Sequence, residues 1–277
     1  MAEHRKLEDK VALITGAGRG IGAAIAAKMA IEGAQVMIND LDAGPLEETA
    51  QAVRKLRRDA VTVAGDITKP EFPQRFVDAA LERFGRLDII VNNAGFTWDN
   101  VIQKMKDEQW QAIMDVHLTA PFRILRAASG YIRDAAKRES EAGQPVFRKV
   151  VNISSISGLF GNAGQANYSS AKAGIIGFTK AMAKEWGRYH VNVNCVAFGL
   201  IGTRLAQALG SEAAHIDIAG HKIDIGIQPE SLEAMQHTIP LGRGGTPEEA
   251  AGAVCLFCYP ESDYVSGQVI TCAGGLI

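Results

Sequence analysis

The chain reads as an α/β protein built on one doubly wound, parallel sheet. Two observations predict this. Short apolar runs of strand length alternate with helix-patterned segments from one end to the other, the pattern of right-handed β–α–β crossovers. Several of the apolar runs are continuous instead of alternating, as expected where helices cover both faces of a sheet. The expectation is about seven strands with helices on both faces.

Residues 11–15 are the first strand candidate and end in glycine. Residues 21–32 have helical composition and stop at Gly33, a residue type suited to the left-handed position after a helix. Residues 35–39, 61–64, 89–91, 150–153, 191–196 and 265–271 complete the strand candidates. The remaining helical candidates are residues 45–58, 71–84, 107–136, 166–188 and 247–259. Residues 54–58 (RKLRR) form a basic stripe, read as a solvated helix face. The charged segment 138–148 is read as a helix end plus loop. Residues 204–238 break the rhythm, and within them 215–227 alternates around Ala219-Gly220 in the manner of a small hairpin. A stretch of this kind is either a substrate lid or a solvent-facing decoration, and both readings stay open. With no linker, repeat or low-complexity tract, residues 1–277 are expected to form a single domain.

Composition narrows the function classes. Among 277 residues, 29 Lys and Arg stand against 31 Asp and Glu, for a net charge of −2, and 47% of residues are hydrophobic. This is a globular balance without the field that draws nucleic acid or an anionic membrane. The first ten residues, MAEHRKLEDK, lack an apolar signal core, and no run approaches the ~18 apolar residues of a membrane span. A cytoplasmic protein is expected. Cys255 and Cys258 form a C-x-x-C with no second pair to complete a metal site, so they read as buried thiols. No metal is expected.

The glycine-rich segment Thr15-Gly16-Ala17-Gly18-Arg19-Gly20-Ile21-Gly22 joins the first strand to the first helix. Glycines there permit a tight turn and close backbone approach to a pyrophosphate, which the free N–H groups and dipole of the helix attract. Asp40 ends the second strand, 18 positions after Gly22, where a carboxylate can accept from both ribose hydroxyls. Asp66 ends the third strand, near an adenine position. Tyr168 and Lys172 are four apart on a predicted helix and share one face. Ser155 lies 13 positions before Tyr168 at the end of a buried strand, where strand C-termini converge on a ligand crevice.

Taken in order, Thr-Gly-x3-Gly-Ile-Gly, Asp66-Ile67, Asn92-Asn93-Ala94-Gly95, Ser155, Tyr168-x3-Lys172 and Thr203 resemble the short-chain dehydrogenase/reductase family. The segments 161–168 and 239–249 resemble its 3-oxoacyl-carrier-protein reductase branch. The resemblance implies a Rossmann-type fold and a catalytic set of Ser155, Tyr168 and Lys172. It places Gly16, Arg19, Gly20, Ile21, Gly22, Asp40, Asp66 and Ile67 against the cofactor. It also sets Asn93, Ala94 and Gly95 along the adenosine side, and Ile201 and Thr203 beside the nicotinamide half. A homotetramer or dimer is implied as well.

A 2′-phosphate beside Asp40 meets like charge, costing about 4 kcal/mol per charge pair at about 4 Å and an effective dielectric of about 20. NAD is therefore expected over NADP, against the NADPH habit of biosynthetic reductases, although Arg19 suits either. The expected reaction is hydride transfer between a ketone and a secondary alcohol, on a small-molecule or thioester-linked substrate, with Tyr168 as acid or base. Lys172, with the positive nicotinamide ring of the oxidised cofactor, is expected to favour the phenolate, and Ser155 to hold the carbonyl oxygen. The favoured substrate pair is 3-oxoacyl and 3-hydroxyacyl thioester. The alternatives are a dehydrogenase of a cyclic, aromatic or steroid-like alcohol, and a non-catalytic NAD-binding regulator.

The sequence departs from the family pattern twice. His117 stands where a relay Asn is usual, either as a relay titrating near neutral pH or as a filler of the helix interface. Phe198-Gly199 replaces Pro-Gly, placing an aromatic ring near the nicotinamide. Trp98 is read as a cleft wall or as packing.

Overall fold

The computed structural model describes residues 5–203, 215–218, 221–224, 226 and 229–276. Seven parallel strands form one sheet in the order β3-β2-β1-β4-β5-β6-β9. They are β1 (Val11–Ile14), β2 (Gln35–Ile38), β3 (Ala60–Thr62), β4 (Ile89–Asn92), β5 (Arg148–Ser155), β6 (Val191–Phe198) and β9 (Val269–Cys272). β7 (His215–Ile218) and β8 (His221–Asp224) pair antiparallel as a separate hairpin, as the alternation around Ala219-Gly220 predicts. Residues 204–214 and several others of the expected lid lie outside the described residues.

Two apolar layers flank the sheet. On one face α1 (Gly20–Ile31), α2 (Ala43–Lys55) and α9 (Pro247–Leu256) bury Ile25, Met29, Leu46, Val53 and Val254 against β1, β2 and β6. α1 is apolar nearly all round because it is covered by neighbours on several sides. On the other face α3 (Phe72–Phe84), α5 (Ala120–Glu141) and α7 (Ala166–Trp186) bury Phe76, Ile124, Ile132 and Ala171. The strand order reverses between β1 and β4, on either side of which the connections run to opposite faces, and this opens a crevice at the strand C-termini. α8 (Pro229–Thr238) and the short α6 (Ile156–Phe160) are further helices of the chain.

Several boundaries differ from expectation for identifiable reasons. The helix expected over 107–136 is instead α4 (Asp107–Met114), a π-helical turn (Asp115–Thr119) and then α5. Pro121 has no N–H to return to residue 117, and the Ala120 N–H bonds the Asp115 carbonyl, five residues back. The segment 138–148 is not all helix end and loop, because Arg148 and Lys149 begin a fully buried strand. Arg148 is satisfied by two contacts to Glu139 (2.6 and 2.9 Å) and one to the Leu87 carbonyl (3.1 Å). Lys149 donates to Asn192, Ser262 and Asp263 at 2.6–3.2 Å. The basic stripe is not one helix face: α2 ends at Lys55 and Arg57 is left-handed (φ 59°). Arg54 instead clamps the Ala60 carbonyl and Glu47, while Arg58 pairs with Glu8.

Candidate active site

One cleft of about 1520 Å³ runs along the C-terminal end of the sheet. It brings together Gly16, Arg19, Gly20, Ile21, Gly22, Asp40, Asp66, Ile67, Asn93, Ala94, Gly95, Ser155, Tyr168, Lys172, Ile201 and Thr203. Every site residue expected from the sequence therefore lines one space, larger than the roughly 300–1,000 Å³ of an ordinary small-ligand pocket.

The glycine end is built by close backbone packing. Gly16 is left-handed (φ 65°), and a Cβ on it would lie 2.6 Å from Ala94 Cα. A Cβ on Gly22 would lie 2.0 Å from the Gly16 carbonyl oxygen. Thr15 ties the loop to β4, its hydroxyl accepting from the N–H groups of Asn93 and Ala94 (both 3.0 Å). The Asn93 amide donates to the carbonyls of Thr15 and Gly16 (both 3.0 Å), so its side chain braces the loop. No side chain caps the N-terminus of α1, leaving its first N–H groups directed at the cleft. Asp40 accepts from the Gly18 N–H (2.8 Å), and Arg19 pairs with Asp42 (2.6 Å). Uncapped N–H groups, a cradle with no room for side chains and a carboxylate at the end of β2 fit a dinucleotide.

The other end is built from ionisable side chains. Ser155 ends β5, and its hydroxyl oxygen accepts from the Ser157 N–H (3.1 Å), which leaves the hydroxyl proton free to be donated. Lys172 is buried, donates to the Ile153 carbonyl (2.8 Å) and lies 5.6 Å from the centre of the Tyr168 ring. Burial pushes the Lys172 ammonium down to about 8. Burial also pushes the Tyr168 phenol up to about 12, while the Ser155 hydroxyl pulls it in the opposite direction. Desolvation sets the direction and favours the protonated phenol, the form that can donate a proton.

His117 lies in the π-helical turn, buried, with Nε2 2.8 Å from the Phe96 carbonyl and its ring 5.1 Å, edge-on, from that of Tyr168. Burial first, and then the Lys172 charge, hold its pKa well below the usual imidazole value. The expected titration near neutral pH is thereby overturned: His117 is neutral. Phe198 is buried at the end of β6 and lines the cleft. Trp98 packs among the core residues around Phe96 and Ile113. Cys255 and Cys258 lie in the core, and burial raises both thiols.

Two features escaped the sequence reading. A polar chain crosses the rim: the Ser157 and Asn162 side chains donate to the Gln165 side-chain oxygen Oε1 (both 3.0 Å), and Gln165 Nε2 donates to Asp99 (2.7 Å). Asn167, fully buried, donates to the carbonyls of Trp98 and Gln109 and fixes the first turn of α7 beside Tyr168. An Asn at a helix start was the available signal.

The sequence profile described as short chain dehydrogenase matches residues 10–214. The chain belongs to the short-chain dehydrogenase family. As a member of it, the chain is an oxidoreductase acting on CH–OH groups with a nicotinamide cofactor. It is 39% identical over 271 residues to a 3-oxoacyl-[acyl-carrier-protein] reductase of Vibrio cholerae, covering 98% of both chains. It is 34% identical to the enzyme of that name from Escherichia coli, over 97% of this chain and 98% of the other. A solved structure of a putative short-chain alcohol dehydrogenase from Sinorhizobium meliloti superimposes with a TM-score of 0.84 at 28% identity, covering 99% of this chain and 98% of that one. Among the described residues no helix is long and apolar enough to cross a membrane.

Proposed function

We propose that this short-chain dehydrogenase interconverts 3-oxoacyl and 3-hydroxyacyl thioesters with NAD(H), using Tyr168 as the proton donor to the carbonyl oxygen. The observation that carries the reading is the convergence of Ser155, Tyr168 and Lys172 on the cleft that also holds the glycine cradle and Asp40. The nicotinamide cofactor, when bound, supplies or takes up the hydride. Ser155 donates to the substrate oxygen and fixes its approach. Tyr168, protonated through neutral pH, gives its proton to that oxygen as charge develops, and Lys172 supports the resulting phenolate. Asp40 supports NAD, because its carboxylate sits where a 2′-phosphate would meet like charge.

The thioester rests on the curated relatives, whose names give 3-oxoacyl-carrier-protein reduction. A second reading, oxidation of a bulky cyclic or aromatic alcohol, is favoured by Phe96, Phe160 and Phe198 lining the cleft. The assembled Ser155, Tyr168 and Lys172 speak against a non-catalytic regulator. Residues 204–238 are proposed as the lid of the single domain. A homotetramer or dimer is proposed because Trp110 and Phe122 on α4 and α5, Leu256 at the end of α9 and Tyr264 after it are exposed apolar residues. The chain is proposed to work in the cytoplasm.

The test is turnover of acetoacetyl-CoA and of a panel of cyclic and aromatic ketones, each with NADH and NADPH, followed by loss of reduced-nicotinamide absorbance. Preferred reduction of acetoacetyl-CoA with NADH supports the proposal. Preference for cyclic ketones selects the second reading, and binding of NADH without turnover of any ketone selects the regulator.

A further inference from the structure

We propose that Gln165 is a positioning residue for the Ser155 hydroxyl: tied to Asp99 at the rim, it holds Ser157, whose N–H in turn keeps the Ser155 proton aimed at the substrate oxygen. The inference rests on the oxidoreductase reading of the same cleft.

The connection is a continuous run of hydrogen bonds. Ser155 Oγ accepts from the Ser157 N–H (3.1 Å). Ser157 Oγ donates to Gln165 Oε1 (3.0 Å), and Gln165 Nε2 donates to Asp99 Oδ2 (2.7 Å). Asn162 Nδ2 donates to the same Oε1 (3.0 Å). All of these residues line the cleft.

The direction of the run follows from what each group can do. A carboxylate only accepts, so the Gln165 amide turns its NH2 toward Asp99 and its oxygen toward α6. That oxygen has two lone pairs, and Ser157 and Asn162 occupy both. Asp99 thus fixes which way the amide faces, and the amide fixes the Ser157 side chain. Gln165 stands at the N-cap position of α7, yet its side chain does not cap that helix. It reaches across to α6 and the rim instead. Its backbone is held in place: its N–H donates to the Asn162 carbonyl (3.1 Å), and its carbonyl accepts from the Ser169 N–H (2.8 Å).

α6 needs such an anchor. It has 5 residues and begins after Ser155, whose extended backbone (φ −147°, ψ 157°) and side chain form its N-cap. A helix this short has little stability of its own, so outside contacts set where its first N–H groups point. Two such contacts are adjacent. At Gly158 the turn presses on α7, where a Cβ would lie 2.6 Å from the Lys172 carbonyl carbon. At Ser157 it is held by Gln165. The N–H that meets Ser155 is therefore placed by the helix that also carries Tyr168 and Lys172. A hydroxyl held at its oxygen from that side keeps its proton for the cleft, and misdirecting it costs rate, because its bond to the substrate oxygen strengthens as charge develops there.

A double-mutant cycle separates positioning of Ser155 from general support of the cleft. The rate is single-turnover reduction by bound NADH of the ketone the parent turns over best. Gln165→Leu is expected to lower this rate about tenfold in the parent and by no more than about twofold in the Ser155→Ala background. NADH affinity is expected to stay within about threefold in both. Equal losses in the two backgrounds overturn the proposal. So does a Gln165→Leu variant with raised KM and unchanged kcat, the signature of direct substrate contact.

A swap across the rim bond supplies the second variant. Gln165→Glu keeps an acceptor for Ser157 and Asn162 but sets a second carboxylate against Asp99, and the rate is expected to fall about tenfold. Adding Asp99→Asn supplies an amide that donates to the new carboxylate, and the rate is expected to return to within about threefold of the parent. No loss in the single variant, or no recovery in the double one, overturns the proposal. A parent protein that turns over no ketone overturns the oxidoreductase reading, and the proposal falls with it.

Discussion

In the glycine half of the cleft the backbone forms the site, and in the half around Tyr168 buried ionisable side chains do. The first half depends on atoms that are absent: no Cβ at Gly16 or Gly22 and no cap on α1. The second depends on charges whose values are set by desolvation, with Tyr168 moved up to about 12 and Lys172 down to about 8. A geometric site of the first kind is visible in residue spacing. An electrostatic site of the second kind shows its members in the sequence, while their protonation states depend on what the fold buries around them.

The comparison predicts that the two halves fail differently, and in cofactor affinity the largest effect lies in the glycine half. Gly22→Ala puts a methyl 2.0 Å from a carbonyl oxygen that is itself locked against Ala94. Overpacking of this kind costs about 1–3 kcal/mol, so NADH affinity is expected to fall about 5- to 150-fold, measured by fluorescence titration. Unchanged NADH affinity would show that the loop is not the close-packed element described.

A smaller effect is expected at Asp40. Asp40→Ala removes both the bond to the Gly18 N–H and the charge facing the ribose. The lost bond weakens both cofactors alike, so the ratio of the two affinities isolates the charge. The NAD preference over NADP is expected to narrow by about tenfold or more, which corresponds to about 1.4 kcal/mol. An unchanged ratio would separate Asp40 from cofactor choice.

The smallest effect is in the pH profile of ketone reduction and sharpens the second half. Tyr168 stays protonated to high pH, and His117 stays neutral through the acid-to-neutral range. As pH rises through about 8, Lys172 loses its proton while Tyr168 keeps its own. The kcat/KM for reduction is therefore expected to be flat below that value and to fall above it, with no histidine inflection between about pH 5.5 and 7. An inflection near the ordinary imidazole value would mean that His117 is not buried as described.

Much of this was legible in the sequence because period and punctuation suffice for it. Seven apolar runs, the glycine loop, Asp40 at the end of β2 and the Tyr168–Lys172 spacing all follow from local text. What was not legible depended on distant partners. Arg148 and Lys149 resemble a loop until Glu139 and Asp263 are brought beside them. The π-helical turn before Pro121 needs a helix to interrupt, and the rim chain from Ser157 to Asp99 joins residues 58 positions apart in sequence. The desolvation of Tyr168 was not legible for the same reason: spacing shows a cation near a phenol, but not how completely both are removed from water.

The central claim is that the Tyr168 hydroxyl is the proton donor in a cleft whose cofactor half is independent of it. Tyr168→Phe removes that oxygen and keeps the ring against His117. The decisive measurement is single-turnover reduction of acetoacetyl-CoA by this variant, alongside NADH titration of the same sample. The expected result is a rate lower by at least about 10²- to 10⁴-fold, the span of a lost general acid, with NADH affinity within about threefold. Turnover near the parent rate would contradict the claim.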